Sequence, residues 1–243
     1  MPVRTSYLEL IKRYLSPVCA FCRMDRDRRE SWICYPCRRQ LKPLSIHACI
    51  RCGAPFDEAS RLAHACGRCE AVPPPFVRAR SLFVYDGLLR ERILAYKYGA
   101  ALEVESALQE LVAGGAPFVG DGLPIAAIVP VPPDPKRGRA RGYNPPLRLA
   151  LRLAQELDVP VIWRGLGRRA TPSQTGLSIA ERTENVHTAF ALRAPERLAA
   201  FKGKPVLVID DVWTTGATVR AFSQFLKDKA GVGDIAVLTL ARR

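Results

Sequence analysis

Two hydrophobic rhythms divide the chain. From residue 76 onward, short apolar runs alternate with amphipathic stretches. Residues 79–85 predict a strand, and 88–97 predict a helix with Leu89, Ile93 and Tyr96 on one face. Residues 125–131 form an apolar run short enough for a buried strand. A helix over 145–157 follows, its Leu149, Leu153 and Leu157 spaced i, i+4, i+8. Residues 159–163, 206–209 and 235–240 predict three further strands, and a helix is expected from about 217 to 229. Strands alternating with helices predict an α/β domain with a mainly parallel sheet covered on both faces.

The first 75 residues do not share this rhythm. Tyr7, Leu8, Ile11, Tyr14 and Leu15 make a helical stripe near Arg4, Lys12 and Arg13. It predicts an amphipathic N-terminal helix over 1–18, expected to pack on its own protein more readily than on an anionic membrane. Residues 19–69 are dense in cysteine and basic residues and poor in long apolar runs. Pro73, Pro74 and Pro75 then mark a stiff boundary. No stretch approaches the roughly 18–20 apolar residues of a membrane span. The N-terminus also lacks the apolar core of a signal peptide, so the expected location is the cytoplasm, with the inner membrane face as a peripheral site.

All eight cysteines fall into four C-x-x-C pairs: Cys19/Cys22, Cys34/Cys37, Cys49/Cys52 and Cys66/Cys69. Each such turn sets two thiolates on one side of a metal, and a second turn completes a tetrahedron. Joining the first pair to the second and the third to the fourth gives two short ribbons over 19–72, each holding one structural zinc. Disulfides are disfavoured in the reducing cytosol. A thioredoxin-like role would need one pair beside a βαβ unit, whereas all four pairs precede it. His47 and His64 sit near cysteines, but the cysteines already suffice as ligands. The formal charge is +14. Counting eight thiolates and two zinc ions lowers it to about +10, a surplus that favours an anionic partner such as nucleic acid or phosphate.

The densest chemistry lies at 206–218. An apolar strand delivers Asp210 and Asp211 to its C-terminal end, a small hydroxyl-rich loop follows, and then a helix begins. Ligands of open α/β sheets collect at the carboxyl ends of strands. Loop N–H groups and the helix N-terminus suit a monophosphate. Thr214, Thr215 and Thr218 add donors, Gly216 permits close backbone approach, and Ala217 continues the loop. Carboxylates repel phosphate, so Asp210 and Asp211 are suited to vicinal ribose hydroxyls. A Walker-B reading fails because no G-x-x-x-x-G-K-[ST] precedes the strand. A bare capped strand–turn–helix is the plain alternative. The segment 165–170 fits G-x-G-x-x-A, but Pro172 falls where the helix of a dinucleotide site should continue.

The acidic and threonine segment resembles the phosphoribosyl pyrophosphate (PRPP) motif of type I phosphoribosyltransferases. Three further segments are similar to the ComF family, whose members pair a double zinc ribbon with a phosphoribosyltransferase-like domain, here 76–243. They are Pro130-Val131-Pro132 with Arg139, Arg141, Gly142, Tyr143 and Asn144; the series Arg168, Arg169, Thr171, Gln174, Leu177, Ser178, Glu181, Arg182, Asn185 and Phe190; and Tyr85, Gly87, Lys97 and Tyr98. The resemblance implies a type I phosphoribosyltransferase-like fold and binding of PRPP with Mg²⁺. Asp210 and Asp211 would take the ribose, and Thr214, Thr215, Gly216, Ala217 and Thr218 the 5′-phosphate. Arg139, Arg141, Gly142, Arg168, Arg169 and Gln174 would stand at the pyrophosphate and flexible loops. It also implies handling of single-stranded DNA during natural transformation, with a competence helicase or other DNA-uptake protein as partner. Pro145 replaces the family's usual Gln, and Trp213 fills a variable position. A phosphoribosyltransferase with an unidentified small acceptor is the alternative reading, since Asp210 and Asp211 fit both binding and catalysis. Lys136, Arg137, Arg139 and Arg141 crowd one predicted loop, as phosphate groups would require. Tyr143 beside them fits either base stacking or anchoring of its own loop.

Overall fold

The computed structural model describes residues 18–26, 31–56, 63–99, 101–120, 122–169 and 189–243. The N-terminal stripe, Gln174, and Arg28 and Arg29, two of the basic residues that the sequence places between the first two cysteine pairs and offers to an anionic partner, lie outside the described residues. Strand β1 (Arg78–Val84) leads into helix α1 (Gly87–Tyr98), which buries the predicted face of Leu89, Ile93 and Tyr96. Helix α2 (Val104–Ala113) follows. Strand β2 (Ala127–Pro130) leads to α3 (Pro135–Arg141) and α4 (Pro145–Leu157). Strands β3 (Leu166–Arg168) and β4 (Phe190–Leu192) form an antiparallel pair. Strand β5 (Val206–Trp213), helix α5 (Ala217–Phe225) and strand β6 (Ile235–Arg242) complete the chain.

The main sheet has the order β1-β6-β5-β2, and every pairing in it is parallel. The first four residues of β5, Val206–Ile209, and the whole of β2 are apolar and buried because both faces are covered there. On β5, alternate residues serve opposite cores. Leu207 and Ile209 join Leu89, Ile93, Leu149 and Leu153 beneath α1 and α4. Val206 and Val208 join Val219, Phe222 and Phe225 of α5.

Three sequence expectations change. Residues 159–163 contribute only a single parallel bridge, Val161 beside Ile128, so the sheet has four strands where five were expected. Pro160 can accept from Ile128 N (2.9 Å) but has no N–H to return, and the chain turns after Trp163. The segment 136–141 is helical, not a loop. Asp134 accepts from Lys136 N and Arg137 N at 3.1 Å each, Pro135 opens the first turn, and left-handed Gly142 (φ 77°) ends it. The 217–229 helix keeps its extent but loosens, since α5 passes into a π-helical turn over Leu226–Ala230.

The cysteine modules pack into the same cores as the sheet. Cys19, Phe21, Trp32, Ile33, Cys34 and Cys37 join the α1/α2 core, while Cys49, Cys52 and Cys69 join the α5 core. Glu110 of α2 fastens the first module, accepting from Ser31 Oγ (2.8 Å), Trp32 N (2.6 Å) and the Arg38 guanidinium. The second module lies on β1. Left-handed Gly53 (φ 67°) has no Cβ because one would sit 2.6 Å from Ala79 O, and Ala79 N donates to Arg51 O at 2.6 Å.

Candidate zinc centres and ligand site

The two modules repeat one plan. In each, an antiparallel bridge (Val18 with Asp25; Ala48 with Pro55) brackets the first cysteine pair. A short helix, Tyr35–Arg39 or Gly67–Ala71, then starts directly after Cys34 or Cys66. Two sets of four sulfurs result, Cys19/Cys22/Cys34/Cys37 and Cys49/Cys52/Cys66/Cys69, with all ligand atoms of a set within 4.8 Å. These are the two pairings the spacing predicts. Backbone N–H groups of Phe21 and Cys34 donate to Cys19 Sγ at 3.3 Å, and those of Cys52 and Cys66 to Cys49 Sγ at 3.4 and 3.2 Å. Burial resists ionisation, but those donors outweigh it and bring Cys19 down to about 7 and Cys49 to about 6. Burial and the neighbouring sulfurs push Cys69 up to about 12 and raise Cys37 as well. Four thiolates so close need a cation, and an all-sulfur tetrahedral set fits structural Zn²⁺ while leaving no open position.

The acidic pair stands at the carboxyl end of the sheet, within the last four residues of β5 and not beyond the strand. Lys97, from the end of α1, donates to Asp211 Oδ1 at 2.7 Å, both side chains about 15% exposed or less. Arg141 Nε donates to Lys97 O at 2.7 Å. A cavity of about 200 Å³ gathers Asp210, Asp211, Thr218, Lys97, Arg137, Arg141 and Arg168. A larger cavity of about 460 Å³, near Leu44, Ile46, Leu82 and Phe83, is mainly apolar and gathers no such set. Desolvation first, and the Asp211 charge second, push Asp210 up to about 7.

Next to this cavity the chain turns sharply. Gly216 caps α5 in the left-handed region (φ 78°), and a Cβ there would sit 2.4 Å from the Trp213 ring. Trp213, only 3% exposed, is the floor of the turn. Thr214 and Thr215 are exposed above it, and Ala217 N donates to Thr215 Oγ1 at 3.3 Å.

Of the basic candidates, Arg141 and Arg168 line the cavity, joined by Arg137, which the family pattern did not single out. Arg139, Gly142 and Arg169 are exposed or half-exposed and do not line it. Tyr143 anchors its own segment: its hydroxyl donates to Tyr96 O, and its ring packs 4.9 Å from that of Tyr96. Trp32 is buried and stacks with Arg26, whereas Tyr35 is 62% exposed. The Lys97 contact was hidden in the sequence, because 114 residues separate the partners.

Residues 10–70 match the family described as a double zinc ribbon domain. The chain is 31% identical over 229 residues to "DNA utilization protein YhgH" of Salmonella typhi, covering 93% of this chain and 96% of that protein. It is 31% identical over 228 residues to "Competence protein F" of Haemophilus influenzae, covering 92% and 96%. Among solved structures, the glutamine PRPP amidotransferase of Bacillus subtilis shares 20% identity over 60% of this chain and 30% of that one, with a TM-score of 0.41.

Proposed function

The chain belongs to the ComF family, and on that premise we propose that it binds PRPP or a related phosphoribosyl ligand while handling single-stranded DNA during natural transformation. The observation that carries the ligand half is the single cavity that joins Asp210 and Asp211 to Thr218, Arg137, Arg141 and Arg168. The carboxylates accept from the ribose hydroxyls. The Thr214–Gly216 turn and the first N–H groups of α5 receive the 5′-phosphate. The arginines face a pyrophosphate, where charge-assisted bonds are strongest. Mg²⁺, if bound with the pyrophosphate, would supply charge neutralisation beside Arg137, Arg141 and Arg168. Lys97, bonded to Asp211 Oδ1, fixes the position of that carboxylate beside Asp210.

The DNA half rests on the relatives' names and on the charge. The exposed arginines of the first module, Arg23, Arg38 and Arg39, and exposed Tyr35 offer a phosphate-binding and stacking surface. No described helix is long and apolar enough to cross a membrane. A second reading, transfer of the phosphoribosyl group to a small acceptor, draws on Asp210, whose carboxyl titrates near neutrality and suits proton transfer. The test is genetic. Deleting the gene should abolish natural transformation, and an Asp210→Asn/Asp211→Asn copy should fail to restore it. Full restoration by that copy would detach the ligand site from DNA uptake.

A further inference from the structure

The two metal centres differ in what they touch. The first is fastened to α2 through Glu110. The second reaches α5 and the end of β5, which flank the ligand site, through two arginines. Arg220, in the first turns of α5, directs Nη2 to Cys69 Sγ (3.7 Å) and Nη1 to Val72 O (3.4 Å), and stacks over Phe76. Arg242, at the end of β6, donates to Cys52 O (2.8 Å) and lies 4.8 Å over the Trp213 ring. It is also the register partner of Trp213 across the β5–β6 ladder. Phe76 meets Trp213 edge-on, with ring centroids 6.0 Å apart. One Zn²⁺ with four thiolates leaves a net charge of about −2, which two guanidinium groups balance. Each guanidinium therefore bonds to the zinc module and lies over an aromatic ring, Arg242 over Trp213 beneath Gly216 and Arg220 over Phe76, which packs against Trp213.

We propose that the second zinc centre is the brace of the phosphate-binding turn, and that Arg220 and Arg242 are positioning residues coupling its occupancy to ligand affinity. Trp213 sets the turn because Gly216 rests directly on its ring. Trp213 is in turn held between Arg242 and Phe76, and Arg220 fixes the start of α5 against Cys69. Emptying the site releases the charge that holds both arginines, so the turn loses its floor and the helix N-terminus its anchor. Coupling of two binding events is reciprocal, so a bound ligand must also retain zinc at the second centre.

This inference rests on the phosphoribosyl reading, and its test separates the two. Zinc transfer to a chelating dye is followed for the full-length protein with and without saturating PRPP and Mg²⁺, beside calorimetric titration of PRPP. In the wild type, one of the two zinc ions should leave at least about fivefold more slowly with PRPP, while the other is unaffected. Arg220→Gln and Arg242→Gln should each keep two zinc ions, bind PRPP roughly tenfold more weakly and lose the protection. Glu110→Gln, which loosens only the first module, should leave PRPP affinity unchanged. PRPP binding that protects neither zinc and is equally strong in both arginine variants would overturn the brace. A wild type that binds no PRPP at all would instead defeat the phosphoribosyl reading, and the brace would fall with it.

Discussion

Lys97 donates to Asp211 across 2.7 Å, tying the last turn of α1 to the carboxyl end of β5. The contact links the first helix after β1 to a strand more than a hundred residues later, and both side chains are mostly buried. It divides the labour of two adjacent carboxylates. Asp211 bonds directly to a cation. Asp210, through desolvation first and the neighbouring Asp211 charge second, is pushed up to about 7.

A pH dependence follows with a definite sign. The folded-state pKa of Asp210 lies above the ordinary carboxylate value of about 4. Its contribution to stability is therefore full below about pH 4 and is lost as pH rises through 7. Ligand affinity runs the opposite way, because ribose hydroxyls need the ionised carboxylate as acceptor. PRPP affinity should rise between pH 6 and 8, and Asp210→Asn should remove the part of that rise not due to the ligand's own phosphates. Titrations of both proteins at several pH values check this, and identical pH profiles would contradict it.

Gly216→Ala should be far more harmful than a single methyl suggests. The left-handed backbone alone costs about 1–3 kcal/mol for a non-glycine residue, and the new Cβ would overlap Trp213. Denaturant midpoints should fall accordingly, and PRPP binding should be lost. A variant with wild-type stability and affinity would show that the turn is not held by Trp213.

Freshly purified protein should contain two zinc ions per chain. Cys34→Ser should drop the count to one, because the two sets of four sulfurs are separate. Elemental analysis gives the answer, and a count of one or none in the wild type would refute the two-centre arrangement.

Much of this was legible because it was periodic. Leu89, Ile93 and Tyr96 declared their helix face, the four C-x-x-C pairs declared their partners, and the apolar run before Asp210 declared its strand. What the sequence hid was non-local or depended on a single proton-poor residue. Pro160 lets 159–163 form one bridge and no more. The β3–β4 pair is only three residues per strand, too short for a period to register. The cluster Lys136–Arg141 reads as a charged loop, although Asp134, Pro135 and Gly142 carried the signals of a capped helix. The long-range ties of Lys97, Arg220 and Arg242 leave no local pattern at all, since an arginine bound to a metal site looks like any surface arginine.

Single-stranded DNA should bind with little sequence preference and steep salt dependence. Backbone-dominated binding falls by about 0.7 log units per log unit of salt for each phosphate neutralised. Charge reversal at Arg28, Arg29 and Arg38 should weaken DNA binding and leave PRPP binding intact. Fluorescence anisotropy of a labelled oligonucleotide at several salt concentrations measures both. No binding at low salt would move the transferase reading to first place.

The proposed phosphoribosyl site joins Asp210, Asp211 and the threonine turn. Calorimetric titration of PRPP with Mg²⁺ into the full-length protein tests it most directly. The wild type should bind. Asp210→Ala, which removes charge-assisted hydrogen bonds worth about 1.5–3 kcal/mol each, should bind roughly tenfold or more weakly, and the Asp210/Asp211 double variant should show no measurable binding. Absence of binding to the wild type, or equal binding by the double variant, would contradict the assignment.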